Sequence, residues 1–213
     1  YNVTLDNQGA TTAGTTNITA TYNAAMPSIT KPAKTGYTFG GYYTATNGGG
    51  TQYYKADGTS AKAWTETSVT KLYAKWTPNT YTITYKDKGD ATFSGTHASG
   101  APTQHTYGTE TALKEATKSG YTFDGWFTAS DCSGSAVTSL GATDYTANIT
   151  LYAKWTELPP TTVYLKPNDN WKQANARFAI YCWNSSGKEW FDMRKMDCDG
   201  GDYYMVEIPV AYK

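Results

Sequence analysis

The chain repeats itself, and that constrains it more than any other feature. Gly36–Ala45 reads GYTFGGYYTA and Gly120–Ala129 reads GYTFDGWFTA, while Leu72–Thr77, LYAKWT, returns unchanged as Leu151–Thr156. The two blocks keep their order, and each pair follows an alternating stretch, Tyr1-Asn2-Val3-Thr4-Leu5 or Tyr81-Thr82-Ile83-Thr84-Tyr85. A duplicated sequence encodes a duplicated structural unit. The units run over 1–78 and 79–157, each near the lower size at which such domains fold alone, and a different segment fills 158–213.

Alternation assigns faces within each unit. In the opening stretch Tyr81, Ile83 and Tyr85 share one side of a strand, and Thr82 and Thr84 the other. In the closing stretch Leu151, Ala153 and Trp155 are expected to point inward, with Tyr152 and Lys154 outward. Gly120 precedes a strand carrying Tyr121 and Phe123, and Gly125 marks a bend or bulge. Between opening strand and Gly the periodicity is poor, and Thr111–Ala116 is the one stretch that reads as a helical turn. Asn47-Gly48-Gly49-Gly50 reads as an exposed loop.

GYTFDGWFTA together with LYAKW resembles the internalin B-repeat family, also called the Listeria–Bacteroides repeat. Copy one departs from it with Tyr42 where copy two has Trp126, an exchange of one aromatic for another. The resemblance covers both units. It implies a compact β-grasp (ubiquitin-like) fold strung in tandem on secreted or cell-surface bacterial proteins, with no catalysis and no shared ligand site.

Composition agrees with an extracellular β protein. Thr, Ser, Asn and Gly supply most of the polarity, and the 19 Tyr and 7 Trp suit a pleated, half-buried surface. Lys plus Arg and Asp plus Glu balance at 18 each, leaving no basic field to hold nucleic acid. No apolar run is long enough for a membrane span. The chain opens on Tyr1 rather than Met, so a leader is either already removed or outside this sequence. Leu158–Thr162, LPPTT, reads as a Pro-stiffened linker rather than a sortase anchor, since it lacks the glycine and the apolar tail.

Little in the chain points to chemistry. Cys132, Cys182 and Cys198 are too few and too unevenly spread for a disulfide framework, although Cys182 and Cys198 share a segment and their pairing stays open. His97 and His105, the only histidines, read as loop residues in solvent and not as metal ligands. Asp197, Asp199 and Asp202 lack EF-hand spacing and read as an Asp-Gly hairpin turn. Glu110 and Glu115 read as solvated neighbours rather than a sugar-cleaving pair. No nucleophile, phosphate-binding or dinucleotide motif is present. The expectation is a protein that is not an enzyme, with no catalytic residue, metal or cofactor.

The third segment changes character after Pro159-Pro160. Strands are expected at Val163–Leu165, Arg177–Trp183, Trp190–Met193 and Tyr203–Ile208, with turns at Pro167–Trp171, Asn184–Gly187 and Asp197–Asp202. YLKPNDNWKQANARFAIYCW and DGGDYYMVEIP resemble the first half of a starch-binding-type carbohydrate module, which implies a partial β-sandwich and an α-glucan ligand. Alternation places Ala179, Tyr181 and Trp183 on one strand face and Phe178, Ile180 and Cys182 on the other. Tyr181, Trp183 and Trp190 are candidates for a sugar-binding cradle with Lys188 at its rim, against the alternative that strand aromatics form core. Trp171 reads as a packing residue. The fold class expected is mostly β (α+β): two tandem β-grasp repeats, then a partial sandwich. The partner expected is a polysaccharide, with a host or neighbouring-cell protein as the alternative.

Overall fold

A computed structural model describes residues 1–171, 176–184, 187–198 and 201–212, apart from the side chains of 169, 197, 198, 201, 202 and 211. The chain gathers into two compact units. One comprises Tyr1–Thr84, Pro102–Leu113 and Val137–Leu151, and the other Tyr85–Ala101, Lys114–Ala136 and Tyr152–Lys213.

The first repeat supplies β1 (Asn2–Asp6), β2 (Asn17–Thr19), β3 (Tyr37–Tyr43), β4 (Gln52–Tyr54) and β5 (Lys71–Pro78), which form one sheet in the order β2-β1-β5-β3-β4. The β1–β5 pairing is parallel and the others are antiparallel. Its core joins Val3, Leu5, Leu72 and Ala74 to the rings of Phe39, Tyr42, Tyr53, Tyr54 and Trp64. Phe39 lies opposite Trp76, and two residues, Gly40 and Gly41, then stand against Lys75 alone before Tyr42 pairs with Ala74. This bulge requires glycine. Gly41 holds φ at 107°, and a Cβ there would lie 2.0 Å from the Tyr54 carbonyl oxygen.

The second repeat supplies β6 (Thr80–Asp87), β7 (Thr96–His97), β8 (Gln104–Thr106), β9 (Thr111–Ala112), β10 (Ala116–Thr117), β11 (Tyr121–Phe127), β12 (Ser139–Leu140) and β13 (Ile149–Glu157). Strands β6, β8, β11 and β13 belong to a second sheet. Phe123 faces Trp155 and Trp126 faces Ala153, with the register slipping between Phe123 and Gly125 as expected. Gly125 holds φ at 123°. Leu151 and Ala153 are fully buried, Trp155 is half-buried and Lys154 exposed, as alternation predicts. Trp126 is buried like Tyr42, and each finds its own hydrogen bond: the Tyr42 hydroxyl with the Asn7 side chain, and the Trp126 indole N–H with the Lys114 carbonyl at 2.8 Å.

Two expectations for this region need correction. No α-helix occurs among the described residues, so the α part of the α+β reading fails. Thr111–Ala116 contains strand residues instead: Thr111 and Ala112 pair with Leu140 and Ser139, and the Leu113 N–H donates to the Thr138 carbonyl at 2.8 Å. A single helical turn gains too few hydrogen bonds to compete with ready-made strand partners. His105 is not a solvent residue either. It is fully buried on β8, with Nδ1 sharing a hydrogen bond of 2.8 Å with the Thr111 hydroxyl. His97 is exposed, but it stacks on Phe93 at 4.3 Å.

The C-terminal segment forms small antiparallel sheets. Strands β14 (Thr161–Leu165), β17 (Arg194–Cys198) and β18 (Gly201–Ile208) make one, in the order β14-β18-β17, and β15 (Ala179–Trp183) pairs with β16 (Lys188–Asp192). Strand β17 was not anticipated. Asp197 and Cys198 pair with Asp202 and Gly201 across the expected Asp-Gly turn, whose own residues 199–200 lie outside the described residues, as do Ser185 and Ser186 of the Asn184 turn.

Replacing Gly41 or Gly125 by Ala is expected to destabilise the protein by about 2 kcal/mol or more, because a side chain is forced into left-handed backbone without room for it. Chemical denaturation measures this. Burial pushes the Tyr54 phenol up to about 12 and also raises that of Tyr42. An unfolded tyrosine ionises near pH ~10, so this contribution is complete below that pH and is lost as pH climbs through the folded value. Alkaline unfolding followed by circular dichroism should therefore steepen above pH ~10, and Tyr54→Phe should reduce the slope.

Candidate functional site: an aromatic face on the C-terminal hairpin

The β15–β16 hairpin has two unlike faces. On one, Ile180, Cys182 and Phe191 pack with Met193, Val206 and Ile208 into a small core that also takes in Val163, Leu165, Phe178 and Tyr204. The other face carries every site candidate read from the sequence. Register sets Tyr181 opposite Trp190 and Trp183 opposite Lys188, so the four side chains emerge from neighbouring positions on one side. Tyr181 is 37% exposed, Trp183 70% and Trp190 66%. Their rings adjoin: Tyr181 and Trp183 are 5.8 Å apart and tilted by 30°, Tyr181 and Trp190 4.9 Å apart and tilted by 42°.

The alternative that these aromatics form core is thereby answered, because the core lies on the opposite face. What they create is a shallow apolar surface edged by the Lys188 ammonium. Such a surface suits a ligand with an apolar face and a polar rim. Arg177 pairs with Asp192 at 2.5 Å near the strand ends, both well exposed, so the pair adds little stability.

Trp171 departs from its expected packing role. It stacks on Phe178 at 6.4 Å but remains 55% exposed. Tyr164, 63% exposed, is a further surface aromatic that sequence reasoning passed over. Its outward alternation with Val163 and Leu165 was the available signal.

Among the described residues, no arrangement resembling a reaction centre accompanies this face. Cys132 and Cys182 are free thiols, and burial raises the Cys132 thiol, keeping it protonated and a poor nucleophile. The side chain of Cys198 lies outside the described residues. Among the described residues no three His, Cys, Asp or Glu side chains gather as for a metal, and no helix is long and apolar enough to cross a membrane. Glu110 and Glu115 are both exposed. A cleft of about 410 Å³ lined by Ser119, Tyr121, Glu157, Asn184 and Val210 holds a lone carboxylate.

The repeats have known relatives. The Listeria–Bacteroides repeat domain matches residues 1–75 and again residues 81–154. The chain belongs to the Listeria–Bacteroides repeat family. It is also similar to Internalin H of Listeria monocytogenes serovar 1/2a (strain ATCC BAA-679 / EGD-e), 34% identical over 146 residues. That alignment takes in 67% of this chain but only 23% of Internalin H, so the chain spans about a quarter of that relative. No solved structure matches the chain. Both family matches end before Thr161, so the aromatic hairpin lies outside the repeat family.

The two-faced hairpin predicts unequal effects of substitution. Phe191→Ala is expected to lower stability by about 2 kcal/mol or more, whereas Trp183→Ala should change it by less than about 0.5 kcal/mol. Thermal or urea unfolding of the two variants checks this.

Proposed function

We propose that this chain is a non-catalytic part of a bacterial surface protein, in which residues 1–78 and 79–157 are spacer units that present a glycan-binding segment at 158–213. The units are read as β-grasp-like, with loops where that fold carries its helix, and the last segment as part of a β-sandwich. The observation that carries the reading is the run of adjacent exposed rings Tyr181, Trp183 and Trp190 beside Lys188, backed by a packed inner face. A soluble protein seldom exposes clustered large aromatics without a use for them. The C–H face of a pyranose covers such rings, and its hydroxyls find the lysine at the edge. An α-glucan is the ligand class that the starch-module resemblance favours.

A second reading rests on the similarity to Internalin H: the repeats themselves contact a host or neighbouring-cell protein. The two readings place the binding surface in different parts of the chain.

Affinity electrophoresis through gels containing amylose or amylopectin separates them. The full chain should be retarded, and Trp183→Ala with Trp190→Ala should restore free migration while leaving the melting temperature unchanged. Unretarded migration of the unaltered chain would refute the α-glucan reading. Pull-down by residues 1–157 that survives the Trp substitutions would support the adhesin.

A further inference from the structure

The same joint is built twice along this chain. Where the first repeat ends, the Asn79 N–H donates to the Gly36 carbonyl at 2.9 Å; where the second ends, the Leu158 N–H donates to the Gly120 carbonyl at 2.9 Å. Both glycines sit in a tight Lys-x-Gly-Tyr corner, with φ of 75° and 81°. In each corner the Tyr N–H returns to the Lys carbonyl, Tyr37 to Lys34 and Tyr121 to Lys118, and the lysine ammonium caps the tyrosine ring at 4.7 Å and 4.2 Å. Each corner is covered by a side chain from the module that follows. A Cβ on Gly36 would lie 2.3 Å from the Tyr107 ring, and one on Gly120 would lie 2.8 Å from Val210. Tyr107 meets Tyr37 edge-on at 5.5 Å, and its N–H donates to the Asn79 carbonyl at 2.9 Å.

Tyr107 has a counterpart in the first repeat. Strand pairing sets Thr82 against Gln104 and Asn2 against Thr19. Asn2 and Thr82 hold the same place in the opening strands, so Gln104 corresponds to Thr19, His105 to Ala20 and Tyr107 to Tyr22. Three observations support this alignment. Ala20 and His105 are both fully buried. Asn23 and Gly108, the next residues after the tyrosines, are both left-handed, with φ of 60° and 86°. Asn23 donates to the Trp64 carbonyl at 2.8 Å as Gly108 does to that of Ala142 at 2.7 Å. Yet Tyr22 is 49% exposed where Tyr107 is half-buried, and Tyr1 is 48% exposed where its counterpart Tyr81 is half-buried.

We propose that the face carrying Tyr1 and Tyr22 is a docking surface for the Lys-x-Gly-Tyr corner of another repeat of this kind, placed on its N-terminal side. The occupant is identified by continuity with the joint already present: the equivalent surface of the second repeat holds that corner of the first. Glycine is the recognition element, since its bare Cα lets the tyrosine ring lie directly on the turn. Both corners within this chain are already filled, one by Tyr107 and the other by Val210. Among the described residues the ring-bearing face is therefore open while both of these corners are covered.

The test compares the 213-residue chain with one in which residues 1–80 are duplicated ahead of Tyr1, the added copy carrying Tyr22→Phe so that its peptides differ in mass. Hydroxyl-radical footprinting should show Tyr22 oxidising more slowly in the extended chain, at the rate of Tyr107. Tyr22→Ala should lower the melting temperature of the extended chain and leave that of the shorter one unchanged. Equal oxidation of Tyr22 in both chains, or an equal effect of Tyr22→Ala in both, would overturn the proposal. A second variant needs no added repeat. Tyr107→Ala should lower the melting temperature of the existing chain and quicken oxidation of Tyr37, and if it does neither the joint carries no binding energy and the proposal falls.

Discussion

Each repeat is organised by one cross-strand pair, a phenylalanine against a tryptophan, followed at once by a glycine bulge. Phe39 meets Trp76 at 5.5 Å and Phe123 meets Trp155 at 5.1 Å. The bulge turns the strand so that the next aromatic, Tyr42 or Trp126, also enters the core instead of facing solvent. Phe39 and Tyr42 are three residues apart, and in a regular strand without the bulge they would lie on opposite faces. The tryptophan also ties down the far end of the opening strand, its indole N–H reaching the Asn7 carbonyl at 2.9 Å in one repeat and the Asp87 carboxylate at 2.8 Å in the other. Positions 7 and 87 are equivalent, so the anchor persists even though its acceptor changes chemical type.

Much of this was legible in the amino-acid order. The duplication announced itself, Gly125 marked its bulge, and alternation sorted Leu151, Ala153 and Lys154 correctly. Legibility failed where a partner distant in sequence decides the outcome. Thr111–Ala116 has the local look of a helical turn, but its backbone is claimed by residues 138–140, which no local window includes. His105 has a polar name and a buried position, because β8 sets it opposite Tyr81 of β6 and Thr111 satisfies one ring nitrogen. In the C-terminal segment alternation separated the hairpin's faces but left open which was the core. The neighbours of Ile180 and Phe191 decide that, and they come from β14 and β18.

The repeats and the hairpin use aromatic rings in opposite ways. In the first repeat Tyr42, Tyr53, Tyr54 and Trp64 are wholly buried, compensating for the scarcity of large aliphatic residues in a chain so rich in threonine and glycine. In the hairpin Tyr181, Trp183 and Trp190 stand outside, while Phe191 packs inward with Ile180 and Cys182. The cluster of adjacent exposed rings thus belongs to the segment beyond the family repeats.

Strand order in the first repeat carries a further consequence. The strand at the centre of the sheet, β5, is the last one synthesised, and its two neighbours β1 and β3 have no other bond to each other. Strand pairing within this sheet is therefore limited to β1 with β2 and β3 with β4 until Leu72–Trp76 arrives to join the two pairs. The pairings that close the sheet are long in sequence, which slows folding and exposes strand edges meanwhile. The Gly36 corner is covered by a residue later still in the chain, Tyr107. In the finished fold the first repeat is completed by its own final strand, and its glycine corner is covered by a side chain of the repeat that follows.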